Sequence, residues 1–123
     1  MAYTKRVETR QQRYERDNLL SAIEEVTGVE REYWETTRSK ERTLVRIRRI
    51  YMYLLKTVLN YPDRHVVEIT SKIATKGTAQ NQISRAMKII REEIEAQGPL
   101  SKEIEAIKKN YEARPPYNFD TVA

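Results

Sequence analysis

Two stretches of the chain hold side chains at spacings that can do chemistry. The first is "KGTAQNQISRAMKII", residues 76–90. A lysine, a glycine and a threonine lead into three amides, and an apolar pattern at helical spacing follows. The second is "RSKERTLVRIRR", residues 38–49, where Arg38, Lys40, Arg42, Arg46, Arg48 and Arg49 are interrupted only by the acid Glu41. Amide side chains can donate to and accept from adenine edges, and arginine can fork onto guanine. Clustered arginines and lysines can neutralise phosphates and fix the register of a bound duplex. The chemistry on offer is recognition of a nucleic acid.

At ~100° per residue, the helix around Ile83 puts Met87, Ile90 and Ile94 on the side of Ile83. Thr78, Asn81, Arg85 and Lys88 fall opposite, with Gln82 and Ser84 on the flanks and Gln80 nearer the core side. Thr78, Asn81, Gln82 and Arg85 are therefore the expected base readers. Lys40, Arg42, Arg46, Arg48, Arg49, Lys76 and Lys88 are the expected phosphate contacts. A surface helix that merely carries polar residues is the plain alternative for the first stretch, and a solvated charge run for the second.

Other chemistries lack material. The chain has 123 residues, one His and no Cys, which leaves nothing for a cysteine-based zinc site and almost nothing for a nucleophilic triad. No phosphate-binding glycine loop, dinucleotide fingerprint or H-E-x-x-H pattern occurs. No catalytic residue, metal or cofactor is expected. His65 reads as an exposed or capping residue in the first turn of a helix. The net charge of +5 favours an anionic partner. Absence of Cys fits a reducing compartment, the N-terminal sequence has no apolar signal-peptide core, and no apolar run approaches the ~20 residues of a membrane span. A cytoplasmic location is the expectation.

The elements that must position these residues read as all-α, a small bundle of five to six helices containing a helix-turn-helix. The first helix begins near Thr4 or Asp17, carries Leu19, Leu20, Ile23 and Val26, and stops at Gly28. A short turn over 30–36 anchors Tyr33 and Trp34. A long helix over 39–59 carries Leu44, Ile47, Ile50, Tyr51, Leu54, Leu55 and Val58. "NYPD" breaks it, because Pro62 disfavours a helical Tyr61. Asp63 caps a helix over 64–74 with Val66, Ile69 and Ile73. Gly77 makes the turn and Thr78 caps the next helix, which buries Ile83, Ala86, Met87, Ile90 and Ile94. Pro99 opens the last helix, with Ile104 and Ile107 inward. Three parts are expected: a helical extension over 1–17, the helix-turn-helix domain over 18–114, and a flexible tail over 115–123.

The order of segments over 18–111 resembles the C-terminal DNA-binding domain of DnaA, the bacterial replication initiator. "NLLSAIEEVTGVEREYWETTRSKER" is similar to that family's first helix, short second helix and basic loop. "RIRRIYMYLLKTVLN" matches best: Arg48, Ile50, Met52, Tyr53, Leu54 and Leu55 align with the family's Ala-Arg-Gln-Ile-Ala-Met-Tyr-Leu-Leu. "VVEITSKIA" and "NQISRAMKII" resemble the two helices of its helix-turn-helix. The resemblance implies that Lys40 and Arg42 are basic-loop residues and that Arg48 contacts the DNA backbone. Thr70 replaces a family glycine, and "KGTAQNQ" replaces Gly-Gly-Arg-Asp-His-Thr-Thr, so the implied DNA sequence differs. The family's ATPase module has no counterpart here. The expected function is a sequence-preferring double-stranded DNA-binding protein, a small regulator or accessory replication factor, with its small size suggesting a phage or mobile element. A replication or transcription protein is a second expected partner, and no membrane is. The alternatives are a helical protein-interaction module or an initiator-mimicking inhibitor that no longer reads DNA.

Overall fold

Six helices account for about four-fifths of the residues that the structure, a computed structural model, describes: 8–35, 41–70 and 79–116. They are α1 (Arg10–Thr27), α2 (Arg31–Glu35), α3 (Arg42–Thr57), α4 (Asp63–Thr70), α5 (Ala79–Glu95) and α6 (Pro99–Glu112). No strand occurs among the described residues. The all-α bundle expected from helical periodicity is what forms.

α1 opens with a capping box: the Thr9 hydroxyl accepts from Gln12 N–H, and the Gln12 side chain accepts from Thr9 N–H. It closes on Gly28, whose φ of 73° lies in the left-handed region that a side chain resists. The helix runs without a break through the expected boundary at residue 17, so residues 10–17 are its first turns. They are fixed to the rest of the bundle. The Tyr61 hydroxyl donates to Gln12 O at 2.9 Å, while Arg16 forks at 2.7 and 3.0 Å onto Glu8, just ahead of the same helix.

α3 is the central element, because six consecutive residues, Ile50–Leu55, are buried. A helix apolar on so many faces must be surrounded, and α1, α2, α4 and α5 all pack on it. Leu19, Leu20 and Ile23 of α1 meet it there, as do Val66 of α4 and Ile83, Ala86 and Ile90 of α5. Each fully buried Leu or Ile contributes about 1.5–3 kcal/mol of transfer free energy. α3 starts at Arg42 rather than near residue 39, with Glu41 as N-cap accepting from Thr43 N–H. At its far end Asn60 takes a φ of 56°, a region that Asn tolerates.

α6 lies on α1 and α5, burying Leu100, Ile104 and Ile107. Glu25 of α1 accepts from Asn110 at 2.6 Å and from Arg114 at 2.9 Å. Pro115, expected in a flexible tail, accepts a hydrogen bond from the Tyr14 hydroxyl at 2.8 Å. Residues 117–123 lie outside the described residues.

Two aromatic expectations change. Trp34 is fully buried and packs edge-on to Tyr51, with ring centroids 5.2 Å apart. Its neighbour Tyr33 is 60% exposed, because adjacent helical residues point ~100° apart and only one faces α3. His65 is buried rather than exposed, its ring stacked on Tyr61 at 4.3 Å.

Candidate nucleic-acid interface

α5 carries the expected reading face. Ile83, Ala86 and Ile90 are buried, and Met87 and Ile94 pack against the core. This stripe fixes the rotation of the helix, so Asn81, Ser84, Arg85 and Lys88 are exposed and Gln82 is half-buried. No acid stands in the first turn of α5. The acids Glu92, Glu93 and Glu95 all come in its last turns. Its first turn is uncharged and its cations Arg85, Lys88 and Arg91 all precede its acids, so charge along the helix runs in the same sense as its backbone dipole. Lys76, Gly77 and Thr78, where a turn was expected, lie outside the described residues. α4 packs on α5, and Thr70 ends it, donating its buried hydroxyl to Val66 O at 2.7 Å.

The arginines of α3 divide into three kinds. Arg42 is exposed at the first turn and Arg49 half-exposed two turns on. Arg46 reaches Glu103 of α6 at 3.0 Å, so its charge is partly committed within the molecule. Arg48 departs from the expected role. It is only 4% exposed, and its Nε donates to the backbone carbonyl of Trp34 at 3.0 Å. Burial lowers its pKa, since desolvation disfavours the charged form. A guanidinium turned inward onto the end of α2 holds that short helix against α3 and leaves little of its surface exposed. Lys40 lies outside the described residues.

Two clefts order α3 and α5 head to tail. Arg42, Val45 and Arg49 line one cleft with Ile89, Ile90 and Glu93. Lys56, near the end of α3, lines another with Ile83, Met87 and Lys88. The α3 arginines therefore stand beside the end of α5, and the amides stand at its start. From Asn81 to Glu93 the helix rises ~18 Å. Lys56 and Arg91 flank Lys88 in the second cleft. They were absent from the expected set, although the helical position of Arg91, next to Ser84 on the wheel, was readable. Lys56 is ion-paired with Asp63, which starts α4.

No protein family, curated protein or solved structure matches the chain. Among the described residues no group of His, Cys, Asp or Glu could hold a metal ion, and no helix is long and apolar enough to cross a membrane.

Proposed function

We propose that this protein binds double-stranded DNA with a sequence preference, presenting the start of α5 to the major groove. The observation that carries the reading is the exposed face of α5. Over three turns it offers an amide, a hydroxyl and three cations, Arg85, Lys88 and Arg91, with no acid before Glu92. Asn81, Gln82 and Arg85 read bases, as does Thr78. Lys88 and the arginines of α3, Arg42 and Arg49, meet phosphates, as do Lys40 and Lys76. Along α5, the cleft that Arg42 and Arg49 line lies ~18 Å from Asn81, about half of the ~34 Å repeat of B-DNA. The resemblance of the segments to the DnaA DNA-binding domain supports the same docking. On this reading the chain is a cytoplasmic, non-enzymatic regulator or accessory replication factor.

Selection of bound sites from a random duplex pool tests it, followed by binding of the selected site and of random duplex. Asn81→Ala and Gln82→Ala should each weaken the selected site by about 1–3 kcal/mol and leave random duplex almost unchanged. If both variants keep the wild-type ratio of specific to non-specific binding, α5 does not read bases.

A further inference from the structure

The cleft between the start of α3 and the end of α5 has a volume of about 540 Å³, within the ~300–1,000 Å³ of ligand-binding clefts. Its floor is aliphatic. Val45 and Ile89 are half-buried and face the cleft, with Ile90 and Leu100 deeper. Val45 and Ile89 are not among the side chains packed against the core. Ile89 lies well off the core stripe of α5, about 120° from Ile83 at ~100° per residue, so packing of α5 does not require it. On α3, residues 42, 45, 46 and 49 share one face by the i, i+3, i+4, i+7 rule. Val45 therefore sits among arginines.

The acids near the cleft leave two of those arginines unneutralised. Glu103 is engaged by Arg46. Glu93 turns its carboxylate toward the start of α6: a Cβ placed on Gly98 would lie 2.6 Å from its Oε2. That end of α6 has no side-chain cap and no acid in its first turn, and a nearby carboxylate is favourable there. Arg42 and Arg49 have no ion pair with any described residue.

We infer that this cleft docks a segment of a protein partner in which one or two aliphatic side chains are flanked by aspartate or glutamate. The aliphatic side chains cover Val45 and Ile89, and the carboxylates take Arg42 and Arg49 in forked hydrogen bonds. Laying an apolar stripe into such a groove is a recurrent mode of peptide recognition. A DNA backbone fits the arginines but offers no aliphatic group for the floor. Peptide docking does not depend on the DNA reading. One consequence does: an occupied cleft withdraws Arg42 and Arg49 from phosphates, so the cleft would regulate DNA affinity.

The test is a random-peptide display library panned on the full chain, with the enriched peptides then titrated by fluorescence anisotropy in the absence of nucleic acid. Enrichment of acids flanking an aliphatic residue is expected. Arg42→Glu combined with Arg49→Glu should weaken those peptides about tenfold or more, and Val45→Ala severalfold. Lys109→Glu, a single charge reversal on an exposed part of α6, should leave binding unchanged. Thermal melts matching wild type establish that the variants fold. No enrichment, enriched peptides without acids, or affinity indifferent to the arginine reversal would overturn the inference. So would a result in which no peptide enriches and Val45→Ala instead weakens duplex DNA, which would make the cleft part of the DNA face.

Discussion

Arg48 Nε and the carbonyl oxygen of Trp34 form a buried hydrogen bond of 3.0 Å that joins the middle of α3 to α2. The same tryptophan rests edge-on against Tyr51. One contact is polar and the other aromatic, and together they seat a helix of five residues that could not persist alone. Removing the guanidinium leaves a buried carbonyl without its donor. Arg48→Met should therefore destabilise the fold by about 1–3 kcal/mol, read as a lower midpoint in thermal or urea unfolding. Trp34→Ala should cost more, about 3–5 kcal/mol. A wild-type midpoint for both variants would mean that α2 is not held in this way.

The division among the arginines should appear in the salt dependence of duplex binding. Arg42→Ala and Arg49→Ala should each reduce the slope of log affinity against log salt by about one. Arg46→Ala should reduce it by less, because Glu103 competes for the same charge. Arg48→Met should leave the slope alone, measured at a temperature where it is folded. A slope that falls with Arg48→Met but not with Arg42→Ala would reverse the assignment.

Tyr61 predicts an alkaline limit to stability. Burial raises the pKa of its hydroxyl well above the ordinary tyrosine value, and the charges of Glu8 and Glu15 add to this. A group whose folded pKa is raised contributes stability that is fully present below its unfolded pKa, ~10 for tyrosine. That contribution is lost as pH rises from there toward the folded value. The hydroxyl also donates to Gln12 O, a bond that ionisation would end. Thermal midpoints between about pH 8 and pH 11 should fall at the alkaline end in the wild type, and fall less in Tyr61→Phe. Parallel curves for the two proteins would show that Tyr61 does not contribute. Burial also raises the pKa of Tyr111, so Tyr61→Phe should flatten the fall without abolishing it.

Local rules made much of this molecule legible. The stop at Gly28, the break at "NYPD" and the start at Pro99 each follow from one residue's backbone preference, and all three fall where that preference places them. The stripe of α5 needed only the helical period. It placed Ile83, Ala86 and Ile90 inward and Asn81, Arg85 and Lys88 outward, since one buried stripe fixes the rotation of a helix. α3 was harder to read, because it is enclosed on several sides, and a surrounded helix has no single inward face from which to infer the rest.

Tertiary structure decided what sequence could not. Arg48 and Arg49 are adjacent and chemically identical, yet one is buried on Trp34 O and the other lines a cleft. Tyr33 and Trp34 differ in the same way. Residue type states which bonds a side chain can make. Whether the nearest acceptor is a carbonyl fourteen residues away or a molecule outside depends on which helix packs beside it. His65 was misplaced for the same reason, since its stacking partner Tyr61 lies across the break before α4. The pairing of Val45 with Ile89 across one cleft joins residues on different helices, and no periodicity within either helix could announce it. Sequence determined the helices, the stop at Gly28 and the α5 face, because those depend on neighbours along the chain. Packing alone decided which arginines remain available to a partner.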